Sequence, residues 1–347
     1  MRGGCWKNNR ILLSSLGKVE SNKEETILTT LQNIGEFGFI ERMAKFLPRS
    51  ADVVEGIGDD CAVLKAGKET LLVTVDLSIE DVHFRREKSS PEDIGWKAVA
   101  VSLSDIAAMG GYPKFVLASI AAQPDTEVAY LEALYQGMAD AAAFGGAVIV
   151  GGDTSRSNQG IVIDTISIGT AHEGRYVLRS GAKPGDVLAV SGYPGRSAAG
   201  LHAQEHGIDA PELLRVHQRP AARLKEGQWL STFPGVHAMI DVSDGIIQDA
   251  DHIGERSGTG IEIDPTYTPD DPLLTAFCAK HGLDARNLAL TGGEDYELAI
   301  AIAPERMGDL MTAWHVMFAT PLAAIGKVRE KSGSHETRGG GHDHFVA

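Results

Sequence analysis

Carboxylates recur at turns along this sequence, in settings where a divalent cation would explain their closeness. Gly56-Ile57-Gly58-Asp59-Asp60 places two adjacent acids on a glycine-flanked turn. Like charges at that range repel, and a cation between them removes the penalty. Leu71-Leu72-Val73-Thr74-Val75-Asp76 and Val148-Ile149-Val150-Gly151-Gly152-Asp153 are apolar strand patterns ending in an acid, and Met239-Ile240-Asp241-Val242-Ser243-Asp244-Gly245 repeats the plan. Each turn alone fits ordinary structure, because Asp and Gly are common turn formers. Taken with Asp105, the set implies one metal–phosphate site. Mg²⁺ takes oxygen ligands, and glycine lets backbone N–H groups approach a phosphate.

Other phosphate-binding plans are excluded. No Walker A sequence is present; Gly192-Tyr193-Pro194-Gly195-Arg196-Ser197 lacks the Gly-Lys-Ser/Thr ending, and the GxGxxG dinucleotide fingerprint is missing. The net charge of −15, from 32 basic and 47 acidic residues, argues against an extended nucleic-acid surface. Cys5, Cys61 and Cys278 lie far apart, which argues against a disulfide framework or a cysteine zinc site and fits a reducing compartment. No apolar run reaches the roughly 18 residues of a membrane span, and the short Ile11-Leu12-Leu13 patch is no signal peptide. The expectation is a cytoplasmic protein without membrane or nucleic-acid partners. Gly292-Gly293-Glu294-Asp295-Tyr296-Glu297 reads as a surface turn or as a substrate contact. His83, His342 and His344 read as packed or exposed residues, or as ligands.

The elements that must position these residues alternate between strand and helix periods. Residues 1–34 read as a loose extension. A helix follows Gly35 and ends at Pro48. Strands are expected near 61–64, 71–75, 115–121 and 161–170, with a buried strand at 147–150. Ser90-Pro91-Glu92-Asp93 is a capped helix start running to Met109, where Gly110-Gly111 stops it. Asp105 then falls in the last turn, where the helix dipole disfavours an anion. Asp125 is expected to cap a helix over 127–144. The polar, turn-rich stretch near 174–185 separates domains 35–172 and 173–347. Beyond it, helices are expected near 198–206, 220–230, 246–257, 272–281 and 304–317, and strands near 187–191, 238–242, 260–263, 296–302 and 321–325. The class is α/β or α+β with mixed sheets.

The ordered set Gly56-Ile57-Gly58-Asp59-Asp60-Cys61-Ala62, Ser102-Leu103-Ser104-Asp105-Ile106-Ala107-Ala108-Met109-Gly110, Gly151-Gly152-Asp153-Thr154, Arg179-Ser180-Gly181-Ala182-Lys183-Pro184-Gly185-Asp186, Asp241-Val242-Ser243-Asp244-Gly245 and Gly292-Gly293-Glu294-Asp295-Tyr296-Glu297 resembles that of the thiamine-monophosphate kinase family, over residues 35–345. The wider superfamily, with aminoimidazole ribonucleotide synthetase and selenophosphate synthetase, shares the Gly–Asp sites but not the whole set. The resemblance implies a two-domain aminoimidazole ribonucleotide synthetase-like fold. It implies a homodimer whose N-terminal sheets pair into a barrel, and transfer of the ATP γ-phosphate to thiamine monophosphate. Carried over by motif, Asp59, Thr74, Asp76, Asp105, Asp153, Asp241 and Asp244 would hold several Mg²⁺ ions. Gly152, Asp153, Arg179 and Ser243 would contact the nucleotide, and His83, Glu294 and Gly339 the acceptor. Asp153, Asp244 and Arg179 would carry the catalysis. The chain departs from the family at Val75, where Thr is frequent, and at Gly339, where an aromatic residue is frequent. The alternatives are another ATP-dependent synthetase of the superfamily or an inactive nucleotide- or metal-binding relative. Cys5 beside Gly3-Gly4 is a poor imitation of a selenophosphate synthetase loop.

Overall fold

The computed structural model describes residues 30–46, 50–264, 266–267 and 270–331. Helix α1 (Leu31–Ala44) starts where Asn33 Oδ1 accepts the Thr30 N–H at 2.8 Å, and it kinks at Gly35 (φ 65°). Residues 31–34, which fall in the expected extension, are therefore helical.

The first sheet holds β1 (Val53–Glu55), β2 (Ala62–Ala66), β3 (Glu69–Ile79), β4 (Tyr112–Ala122), β5 (Val148–Gly151), β6 (Thr154–Arg156) and β7 (Val162–Thr170). Its order is β1-β2-β3-β7-β4-β5, with β6 also on β4. β3 pairs antiparallel with β7 from Leu71↔Thr170 to Ile79↔Val162. β4 is antiparallel to β7 and parallel to β5 and β6. Side chains alternate across a strand, so β3 turns Leu72, Thr74 and Asp76 one way and Val75 and Leu77 the other. The first set faces α2 (Pro91–Ala108), which packs with α3 (Val128–Phe144) over a core of Val99, Leu103, Val116, Leu134, Met138 and Ile163. The α2 start is as expected, with Ser90 accepting from Asp93 N and Pro91 opening the helix. Asp125, by contrast, does not cap α3. A turn from Thr126 N to Gln123 O carries the chain on, and the helix opens after Glu127 without a side-chain cap.

The 147–150 stretch is also corrected. Ala147 is buried, but Val148 and Val150 are 58% and 54% exposed. β5 ends the sheet order, and the outer face it shares with Val75, Leu77 and Phe115 stays open among the described residues.

The second sheet holds β8 (Val187–Ser191), β9 (Val236–Asp241), β10 (Gly260–Ile263), β11 (Leu298–Ile302) and β12 (Leu322–Arg329), ordered β10-β12-β8-β11-β9. All its pairs are antiparallel, so only the first sheet is mixed. Around it lie α4 (Arg196–His206), α5 (Pro211–Gln218), α6 (Leu224–Leu230), α7 (Ile246–Ser257), α8 (Pro272–His281), α9 (Ala285–Thr291) and α10 (Pro304–Met317). The sequence pattern did not announce α5 or α9, both under nine residues long. α7 supplies Ile246, Ala250 and Ile253 to one core, and Trp314 of α10 anchors the other. Ala108, the last residue of α2, joins that second core. One helix thus serves both halves. No described helix is long and apolar enough to cross a membrane.

α2 and α3 touch backbone to backbone. A Cβ on Gly95 would lie 1.9 Å from Leu134 O, and one on Gly137 2.0 Å from Glu92 O. Gly137→Ala should lower stability by about 3 kcal/mol, because the helices must separate. Gly308→Ala, in open space on α10, should raise it by about 1 kcal/mol. Urea unfolding of both variants checks the contrast.

Candidate active site

Three elements bring acids to the last turns of α2. Asp105 lies on the helix itself, and the Thr74 hydroxyl on β3 donates to its Oδ2. Ser104, one residue earlier, donates to Oδ2 of Asp241 at the end of β9, at 2.6 Å. The turn before β2 supplies Asp60. Asp60, Asp105 and Asp241 each offer one oxygen, and these lie within 4.8 Å of one another. Asp76 joins them electrostatically, and its buried Oδ2, like Asp60 Oδ2, has no hydrogen-bond partner.

Arg179 balances part of this charge. Its guanidinium donates to Asp60 Oδ1 from Nε at 3.1 Å and from Nη2 at 2.6 Å, while its backbone N–H donates to Asp59 at 3.1 and 3.2 Å. Burial works against the guanidinium charge, but Asp60 outweighs it, so the arginine pKa is raised. One cation is not enough for the cluster. Burial, then Asp60, pushes Asp59 up to about 6. Burial, then Asp164, pushes Asp76 to about 7, and burial, then Asp60, pushes Asp241 to about 7. Asp105 is pushed well up by burial and by Asp76, Asp241 and Asp60. An oxygen-only donor set with partnerless buried oxygens fits a hard divalent cation.

A second group, Asp244, Asp249 and His252, lies on and before α7. Here the geometry corrects the sequence reading. The N–H groups of Ser243, Asp244 and Gly245 all donate to Asp249 Oδ2, at 3.0, 3.1 and 3.1 Å. That glycine turn is filled by the chain's own carboxylate and is not an open phosphate cradle. The Gly192–Ser197 turn is filled likewise: Gly195 N and Ser197 N donate to Asp295 at 2.6 and 3.1 Å. Burial pushes Asp295 up to about 8.

Nor is Gly292–Glu297 a surface turn, since Asp295, Tyr296 and Glu297 are buried. Glu297 pairs with Arg223 and accepts from Ser191 Oγ at 2.7 Å. Glu294 pairs with Lys97 Nζ at 2.7 Å and faces His217 Nδ1 at 3.4 Å. His83 Nδ1 accepts the Ile79 N–H at 3.0 Å and is close enough to Glu294 to act on its charge.

The motif acids therefore do not all meet. Asp105 and Asp241 share the cluster, Asp76 and Asp59 border it, and Asp244 stands in the α7 group. Asp153 is exposed and makes no described side-chain bond to either group; its carbonyl accepts from Ile120 N at 2.9 Å. Gly152 is there for closeness, as a Cβ would lie 1.8 Å from Ala118 O. Gly339, His342 and His344 lie outside the described residues. Asp249 and His217 carry no motif signal. Lys97 does carry one: it is the only basic residue in α2, in an otherwise apolar stretch.

Comparison with known proteins agrees with this architecture. Residues 58–171 match the AIR synthase related protein N-terminal domain, and residues 183–337 its C-terminal domain. The thiamine-monophosphate kinase of Aquifex aeolicus is 36% identical over 308 residues, 87% of this chain and 94% of the relative. That of Bacillus subtilis is 36% identical over 307 residues, 86% and 93%. A solved structure of AaThiL complexed with AMPPCP and TMP is 35% identical, with a TM-score of 0.81, covering 92% of this chain and 100% of that one.

The raised carboxyl pKa values set a pH dependence. Folded Asp59, Asp76 and Asp241 keep protons up to about 6–7, whereas unfolded ones lose them near 4. The folded state binds more protons inside that window, so metal-free stability falls as pH rises through it. A divalent cation must displace those protons. The Mg²⁺-induced rise in melting temperature should be small at pH 5.5 and larger at pH 8, as thermal melts would show.

Proposed function

Because the chain belongs to the thiamine-monophosphate kinase family, we propose that it transfers the γ-phosphate of ATP to thiamine monophosphate, giving thiamine diphosphate and ADP. The observation that carries this reading is the buried, oxygen-only cluster of Asp60, Asp105 and Asp241, with Asp76 and Asp59 beside it, assembled from both sheets around the end of α2. Asp59, Asp60, Thr74, Asp76, Asp105, Asp241 and Asp244 would hold Mg²⁺, with Asp153 entering from the exposed β5–β6 turn. Bound there, Mg²⁺ would supply positive charge to offset that of the triphosphate.

The chain's own groups do the rest. Thr74 and Ser104 hold Asp105 and Asp241 in fixed directions by donating to one oxygen of each. Arg179 pairs with Asp60 through its guanidinium and ties the turn at 59–60 to the second domain. Its guanidinium is largely committed there, so its share in nucleotide contact is electrostatic. Gly152 lets the backbone pass close to β4, beside Asp153, which would meet the nucleotide. The acceptor is itself a phosphate anion, so no general base is needed. Catalysis is positioning and charge neutralisation in an in-line transfer.

The open outer face of the first sheet, with Val75 61%, Leu77 51%, Phe115 47%, Val148 58% and Val150 54% exposed, supports pairing with a second copy of the chain. A contiguous apolar face of this kind is costly in water.

Purified protein given ATP, Mg²⁺ and thiamine monophosphate should form thiamine diphosphate, and chelation should abolish turnover. Asp105→Asn should fold normally and lose about 100-fold or more in kcat. Wild-type turnover in that variant would overturn the site, and absence of product from the native chain would overturn the function. Light scattering on a sizing column should give a dimer for the native chain and a monomer for Val150→Asp.

A further inference from the structure

A buried lysine remains that this mechanism does not use. Lys97 sits on α2 at 9% exposure, and its Nζ lies 2.7 Å from Glu294 Oε1. The other Glu294 oxygen faces His217 Nδ1 at 3.4 Å, and that nitrogen lies 3.2 Å from Ser197 Oγ. The chain of contacts therefore runs from the first domain through Glu294 to α5 and α4. His217 is neutral near pH 7, because burial and then Lys97 hold its pKa down to about 4. The network is thus one cation and one anion.

Its backbone is over-determined. Glu294 and Tyr296 adopt φ of 63° and 51°, a left-handed conformation that non-glycine residues rarely take. Their N–H groups are pinned to Ser243 O at 2.7 Å and Val242 O at 2.8 Å. Of the three charged or polar side chains, Glu294 is the one that reaches solvent, at 29% exposure against 11% for Lys97 and 7% for His217. Beside it stands His83, whose Nδ1 accepts the Ile79 N–H at 3.0 Å and whose ring is close enough to act on the Glu294 charge. A fixed carboxylate that reaches solvent is an acceptor complementary to the amino group of an amino-substituted heterocycle.

We infer that Lys97 is a positioning residue for acceptor recognition: it fixes the Glu294 carboxylate, beside His83, against the amino-heterocycle of the substrate. This rests on the function proposed above. The competing role is a structural latch between the domains, because breaking a buried ion pair destabilises a fold whatever the partner does.

The test is calorimetric binding of thiamine monophosphate and, separately, of Mg²⁺–ATP to the full chain, with melting temperatures alongside. Lys97→Met should weaken thiamine monophosphate binding by about 10-fold or more and leave nucleotide binding within about threefold of native. The double variant Lys97→Met/Glu294→Gln removes both charges and keeps the shape. It should regain melting temperature while acceptor binding stays weak. Native acceptor affinity in either variant would overturn the inference. An equal loss of nucleotide binding in Lys97→Met would also overturn it, by marking a general structural role. Native protein that binds the acceptor but makes no thiamine diphosphate would sink the proposed function alone, and native protein that does not bind it would sink both.

Discussion

Mutual repulsion among buried carboxylates is the constraint on which this structure turns. Asp60, Asp76, Asp105 and Asp241 crowd around the C-terminal end of α2, where the helix dipole is itself unfavourable to anions. Arg179 offsets Asp60, and hydroxyls from Thr74 and Ser104 satisfy one oxygen each of Asp105 and Asp241. The rest of the penalty stays in the fold, visible as raised carboxyl pKa values and as the partnerless oxygens of Asp60 and Asp76. Such an arrangement is tolerable when a divalent cation completes it and when the surrounding packing is strong enough to hold it meanwhile.

That packing centres on α2. Its N-terminal half meets α3 through two glycines, its middle lies under β3 and β7, and its end enters the core of the second sheet through Ala108. A Cβ on Gly227 of α6 would lie 2.0 Å from Ala107 O, so the second domain also approaches α2 at backbone distance. Ser104–Asp241 and Lys97–Glu294 then cross from one half to the other from the same helix, and Arg179–Asp60 crosses from the turn before β2. The carboxylate cluster, the seam between the domains and the Glu294 carboxylate all adjoin this one element.

Filled anion turns carry a further lesson. A glycine-rich turn after a strand offers backbone N–H groups, and an external phosphate is one way to satisfy them. Here Asp249 and Asp295 satisfy two such turns from within. The turns are fixed by these bonds, and the neighbouring side chains stand beside them: Asp241 and Asp244 at one, Glu294 and Glu297 in the segment before β11 at the other.

The sequence by itself determined the local structure and the chemical type of the site. Periodicity and capping placed α2, α7, α8 and α10 and most strands to within a few residues, because those signals depend on near neighbours along the chain. The repeated Gly–Asp endings place carboxylate oxygens, the donors a hard cation takes, at the turns. Only the tertiary structure decided which acids meet. Asp60 faces Asp105 and Asp241 while Asp153 stays exposed, and Lys97 finds Glu294 nearly two hundred residues away. The 147–150 strand reads as buried from its apolar run, yet lies open because it ends the sheet. Pairing order, strand face and charge neutralisation are set by groups distant in sequence, and short-range pattern holds no record of them.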